Sequence, residues 1–193
     1  MKAAFALLAN VEVYNFVRRL AWEIHQTYRT GISICRLPPH ISLKQTFEVS
    51  DLIALETYMN GLARSISPFN INLTELQLIP IDIDGIETAI LWIDVQETEF
   101  LRQLHDRINL ELEQRFQNTQ AYADGANYHF HMSVAIGRQP TEVYHTIFDK
   151  IPDRVVNLQY TVHELAMFVY DEPIGLESSY MTYKVLPVGT LSR

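Results

Sequence analysis

The chain has 193 residues, 48% of them apolar and 20% charged, a balance that excludes a disordered chain and suffices for a single domain over residues 1–193 made of two similar halves. A formal net charge of −8 argues against a broad electrostatic grip on long nucleic acid, which needs a basic stripe. It leaves room for a small phosphorylated substrate or an RNA end, held by one or two cations in a cleft.

The single cysteine, Cys35, excludes an internal disulfide framework and fits a reducing compartment. Flanked by Ile32, Ile34 and Leu37, it reads as a partly buried thiol without a local base to activate it. The first ten residues hold one lysine and a short apolar run, with Glu12 close behind, which predicts a buried first strand rather than a signal peptide. No run approaches the roughly 18 apolar residues that span a bilayer. The expectation is a soluble, cytoplasmic monomer.

A strand over residues 3–8 is followed by Asn10, a helix cap. Val13, Phe16, Val17, Leu20, Ile24 and Tyr28 then recur at helical spacing over 11–28, with Arg18, Arg19, Glu23 and Gln26 largely opposite. After Leu37-Pro38-Pro39, residues 40–47 alternate as a strand. Ser50-Asp51 opens a second helix that stops near residue 66, before Ser67-Pro68. Strands at 69–78 and 87–95 form a hairpin around Asp82–Gly85, with a connection longer than two residues. A third helix covers 98–116, and a polar loop covers 117–127. Residues 128–136 form a strand, a short helix covers 141–148, and two more strands are expected at 155–170 (bent or broken) and 178–188. The joining segment is Asp171-Glu172-Pro173-Ile174-Gly175.

Two short motifs carry the chemistry. On a strand, side chains i and i+2 share a face, so His40 and Ser42 point together while Ile41 and Leu43 point to the core. Lys44 continues the polar face, either as a cation near a phosphate or as a solvated strand end. In the second copy His129, His131 and Ser133 share one face, opposite Phe130, Met132 and Val134. Two histidines suit in-line attack at phosphorus: one, neutral, takes a proton from the attacking oxygen, and the other, protonated, supplies the departing oxygen. Each serine hydroxyl can donate to a non-bridging phosphate oxygen. Acid, base and donors all come from protein, so no metal or cofactor is required.

Other chemistries are weaker. His129 and His131 could chelate an ion, but no spacing recruits His105, His145 or His163 as a further ligand, and His105 is expected to face solvent. Neither serine sits in a Gly-x-Ser-x-Gly turn. Tyr170, Tyr180 and Tyr183 could stack on a base or simply pack.

His40-Ile41-Ser42-Leu43-Lys44 and His131-Met132-Ser133-Val134-Ala135 resemble the paired His-x-Thr/Ser-hydrophobic motifs of the 2H phosphoesterase superfamily, which includes the 2′-5′ RNA ligase-like proteins. The resemblance implies an α+β fold: two related halves whose antiparallel sheets, flanked by helices, meet at a V-shaped cleft. It implies action on 2′,3′-cyclic phosphates or 2′-5′ phosphodiesters of a nucleotide or RNA end. His40 and His131 would then be the acid/base pair, and Ser42 and Ser133 the phosphate-orienting hydroxyls. Serine replaces the commoner threonine in both motifs, and Phe130 stands where many members have proline. The alternatives are a binding module that recognises a nucleotide without turnover, and RNA 2′-5′ end joining.

Overall fold

The computed structural model describes residues 1–83, 85–137, 139–171 and 179–189. Its elements in chain order are β1 (Lys2–Leu8), α1 (Val11–Tyr28), a 3-10 turn (Ser33–Arg36), β2 (His40–Glu48), α2 (Leu52–Ser65), β3 (Phe69–Ile83), β4 (Ile86–Val95), α3 (Glu99–Phe116), β5 (His131–Ile136), α4 (Thr141–Lys150), β6 (Val155–Val162), β7 (Glu164–Tyr170) and β8 (Tyr180–Pro187). Three helices begin where a side chain satisfies an orphan backbone N–H. Asn10, Asp51 and Thr98 accept from the amides of Val13, Ala54 and Leu101.

The strands form two antiparallel four-stranded sheets, ordered β2-β1-β7-β8 and β5-β4-β3-β6. Strand β1, helix α1, edge strand β2 and helix α2 are repeated as β4, α3, β5 and α4, the duplicated α+β architecture expected. The two halves interlock: α1 packs on β5 of the other sheet and α3 packs on β2. One contiguous cluster of buried side chains runs through both sheets, from Phe5 and Leu7 to Ile93 and Met132.

Strand β1 is buried on both faces. Ala3, Phe5 and Leu7 enter the main core, whereas Ala6 and Leu8 join Leu37, Ala166 and Phe168 in a second cluster on the opposite face. That double burial produces the unbroken apolar run at the start of the chain. Residues 155–170 are two strands: β6 pairs with β3, and β7 pairs with β1 in the other sheet, with His163 at the changeover. The β3–β4 connection is tighter than expected. Ile83 pairs with Ile86, and Gly85, at φ 79°, donates its N–H to Asp82 at 2.8 Å. Apart from Asp171 and Ser179, the segment joining β7 to β8 lies outside the described residues, as does the expected strand start at Ser178.

Candidate active site

The two motif strands, β2 and β5, are edge strands of different sheets and lie beside each other. Alternation along them is as expected at the motifs. Ile41, Leu43, Met132 and Val134 are fully buried, and His40, Ser42, His131 and Ser133 are half-buried. Strand β5 starts at His131 rather than residue 128. The preceding residues form a loop whose Tyr128 crosses to β2, donating its hydroxyl to the Ser42 carbonyl at 3.1 Å.

Both imidazoles are held in the same way. Nδ1 of His40 lies 2.8 Å from the Pro38 carbonyl, and Nδ1 of His131 lies 2.8 Å from the His129 carbonyl. A carbonyl only accepts, so each Nδ1 carries the hydrogen and each Nε2 is left for proton transfer. Among the described residues neither Nε2 has a protein hydrogen-bond partner, and neither do the hydroxyls of Ser42 and Ser133. Four polar groups are thus presented without competing partners, on rigid strands.

The surroundings of the two rings differ. His40 meets Phe168 edge-on, with ring centroids 4.7 Å apart. Burial first, then the nearby charges of His131 and Arg18, push its pKa down to about 4, against an upward pull from the Pro38 carbonyl. His131 lies flat on Trp92, with centroids 4.0 Å apart and an interplanar angle of 21°. Its pKa is also lowered, chiefly by burial and then by His129, but the His129 carbonyl and Asp94 pull it back up. Asp94 is itself held in place: its Oδ1 accepts from the Trp92 indole at 2.7 Å and lies 2.9 Å from Nε2 of His129. The indole face beneath and the carboxylate beside it offset part of the burial that disfavours an imidazolium at His131.

Lys44 is not on the polar face. The β1–β2 register advances one residue on β1 and two on β2 between Ala6↔Ser42 and Phe5↔Lys44, a bulge that resets strand parity. Leu43 and Lys44 are consequently both buried, Lys44 to 1% exposure, and its Nζ pairs with Asp124 of the loop before β5. Asp124 also accepts from the backbone N–H groups of Gln45 and Ala121, each at 3.2 Å.

His105 is likewise inside rather than in solvent. It is fully buried, stacks on Tyr128 with centroids 4.6 Å apart, and places Nδ1 2.9 Å from the Leu43 carbonyl. It occupies the helix position four after Leu101 and three before Ile108, the spacing that marks the packed face of α3. Nothing in the sequence singles out Arg18, which lies on the polar side of α1. Its guanidinium donates to the carbonyls of Ile34, Cys35 and Leu37, clamping the segment that leads into His40. No short motif marks such a contact.

Of the three tyrosines, Tyr170 and Tyr180 stack on each other with centroids 5.6 Å apart beside the Phe168 cluster, whereas Tyr183 points outward and donates to Glu56. His145 and His163 are exposed and stand apart from the motifs. Among the described residues no group of three or more His, Cys, Asp or Glu could hold a metal ion. A recess of about 650 Å³ opens beside His131, bounded by Trp92, Tyr128 and the loop that carries Asp124.

The family model described as the 2′-5′ RNA ligase superfamily matches residues 11–173, a span containing both motifs. The chain belongs to the 2′-5′ RNA ligase superfamily. It is therefore placed among the 2H phosphoesterases that the motifs resemble, and its general class is that of a phosphoesterase. Among solved structures, TT0787 of Thermus thermophilus superimposes with a TM-score of 0.66 at 15% identity, covering 97% of this chain and 98% of that one. Escherichia coli LigT complexed with 3′-AMP gives 0.57 at 14% identity, covering 98% of both chains. Kluyveromyces marxianus Usb1 gives 0.50 at 14%, again covering 98% of both. At such identities the likeness establishes the fold of the superfamily member, two curled antiparallel sheets with four helices. No curated protein matches the sequence. Among the described residues no helix of this superfamily member is long and apolar enough to cross a membrane.

Proposed function

We propose that the protein is a metal-independent phosphodiesterase acting on a 2′,3′-cyclic phosphate or 2′-5′ phosphodiester of a nucleotide or RNA end. The observation that carries this reading is the matched pair of Nδ1-locked imidazoles on adjacent edge strands, each beside an unengaged serine hydroxyl. His40, held neutral near pH 7 by burial and by neighbouring cations, takes a proton from the attacking water on Nε2. The water oxygen bonds to phosphorus as the bond to the departing sugar oxygen breaks. His131, where Asp94 and the Trp92 face offset part of the burial acting against its imidazolium, delivers the Nε2 proton to that oxygen. Ser42 and Ser133 donate to the non-bridging oxygens as charge builds on them. A substrate of nucleotide size is supported by the LigT structures complexed with 3′-AMP, ATP and NADP+.

The test is hydrolysis of 2′,3′-cyclic nucleotides in excess chelator by the parent, His40→Ala and His131→Ala. Turnover should persist in chelator and fall at least about a hundredfold in each variant, the scale of one lost general acid or base. Full activity in both single variants refutes the mechanism. Tight nucleotide binding with no product after long incubation would make the chain a binding module instead.

A further inference from the structure

Away from His129 and His131, which form part of its wall, the recess has a lining unlike that of a phosphate site. No lysine or arginine borders it. Its one carboxylate, Asp124, is consumed by Lys44 and two backbone N–H groups. Besides the imidazoles of His129 and His131 and the small Ala123 and Ala126, what remains is aromatic and amide: Tyr122, Trp92, Tyr128, Gln45 and Asn127. Apart from those imidazoles a polyphosphate finds no counter-charge there, whereas a flat, uncharged heterocycle finds an open ring face at Tyr122 and amide edges to match. At about 650 Å³ the space accommodates one nucleoside but not a duplex.

Tyr122 is the unusual member. Its relative exposure is 107%, yet it is not on a loose loop. On one side Thr119 is buried, with its N–H and hydroxyl both donating to Glu113. On the other, Asp124 is pinned to β2, Gly125 donates its N–H to His105, and Arg102 donates to the carbonyls of Gly125 and Tyr128. Only the few residues between these anchors project, and they carry an aromatic ring into solvent at the mouth of the recess. An uncovered ring on a stretch of backbone anchored at both ends is a stacking surface awaiting a partner.

Gln45 adds an edge. The Tyr128 hydroxyl donates to the Ser42 carbonyl, so it must accept at its oxygen, and the 3.2 Å contact from Gln45 is therefore made by the amide nitrogen. That orientation leaves the Gln45 oxygen as an acceptor without a protein partner among the described residues.

We propose that this recess is a nucleobase subsite in which Tyr122 stacks on the base and the Gln45 oxygen accepts from an exocyclic amine, favouring adenine or cytosine over uracil. The proposal rests on the phosphodiesterase reading and names the part of the substrate that reading leaves open: the nucleoside on the His131 side of the scissile phosphate.

The test is equilibrium binding of 3′-AMP, 3′-CMP, 3′-UMP and ribose 5-phosphate to the full chain, followed by calorimetry, for the parent, Tyr122→Ala and Gln45→Met. Tyr122→Ala should weaken 3′-AMP and 3′-CMP about tenfold, the scale of one lost base stack, and leave ribose 5-phosphate unchanged. Gln45→Met should bring 3′-AMP and 3′-UMP to equal affinity. Because Tyr122 makes no buried contact, its variant should unfold at the same urea concentration as the parent. The subsite is overturned if the parent binds no nucleotide more tightly than ribose 5-phosphate, if Tyr122→Ala weakens all four probes alike, or if the parent already binds 3′-UMP as well as 3′-AMP. Binding without turnover would refute the catalytic reading and leave the subsite standing. Turnover without base preference would do the reverse.

Discussion

Lys44→Met separates a structural cation from a substrate-binding one. Methionine keeps the length of the apolar stem and removes only the charge. Lys44 and Asp124 have side-chain exposures of 1% and 7%, so the substitution strands a carboxylate out of reach of solvent. Removing one partner of a buried ion pair costs about 3–5 kcal/mol. Asp124 keeps two backbone N–H donors at 3.2 Å, from Gln45 and Ala121, which places the expected loss at the lower end, about 3 kcal/mol. For a chain of this size each kcal/mol shifts Tm by roughly 2–4 °C, so the melting point should fall by about 6–12 °C. Adding Asp124→Asn removes the stranded charge and should recover half or more of the loss, giving a double-mutant coupling of about 1–3 kcal/mol. Thermal and urea unfolding followed by circular dichroism read both quantities. A Lys44→Met protein that melts within about 1 °C of the parent but shows a raised KM for phosphodiester substrate would refute the burial argument and return Lys44 to the site.

Three further outcomes are expected from the same contacts. His40 has its folded pKa at about 4 against an ordinary 6.5, so the unfolded chain binds the extra proton between these values. Its contribution to stability is complete above about pH 6.5 and is lost as pH falls toward 4; urea midpoints of His40→Gln should therefore depend less steeply on pH across that window, and an unchanged slope counts against the assignment. Asp94→Asn removes the carboxylate that raises the proton affinity of His131, so its imidazole NMR titration and the alkaline limb of kcat/KM should both move acidward by up to about one pH unit; an unmoved titration refutes the support role. Gly137→Ala would bring a Cβ within 2.2 Å of the Thr30 carbonyl oxygen, beyond the end of β5, and should cost about 1–3 kcal/mol in urea unfolding. A loss below about 0.5 kcal/mol would show that the backbone yields there.

Much of the fold is legible in the sequence because its signals are local. The helical period over Val11–Tyr28 and the caps Asn10 and Asp51 set the first two helices to within a residue or two. Where expectation and structure part, the deciding contact is distant in the chain. The parity that places His40 with Ser42 does not carry on to Lys44, because the bulge after Ser42 is a property of the pairing with β1. The charge along α3 points His105 toward solvent, although its spacing from Leu101 and Ile108 is a sign of burial. Residues 155–162 alternate and Leu165–Val169 are continuously apolar, and both patterns read as strand; only their different partners, β3 and β1, divide the run at His163.

By itself, the sequence determined the two strand-borne His-x-Ser pairs, their core-facing neighbours and the duplicated order of elements, since each depends on the repeat of side chains along one strand or helix. Tertiary structure alone decided that β2 and β5 lie side by side, that Arg18 clamps the approach to His40, and that Asp94 and Trp92 surround His131 while Phe168 faces His40. These contacts join residues far apart in the chain, as in the Lys44–Asp124 pair, whose partners are 80 positions apart. Burial and neighbouring charge are what make two chemically identical imidazoles differ. Both are properties of the folded surroundings, and no periodicity encodes them.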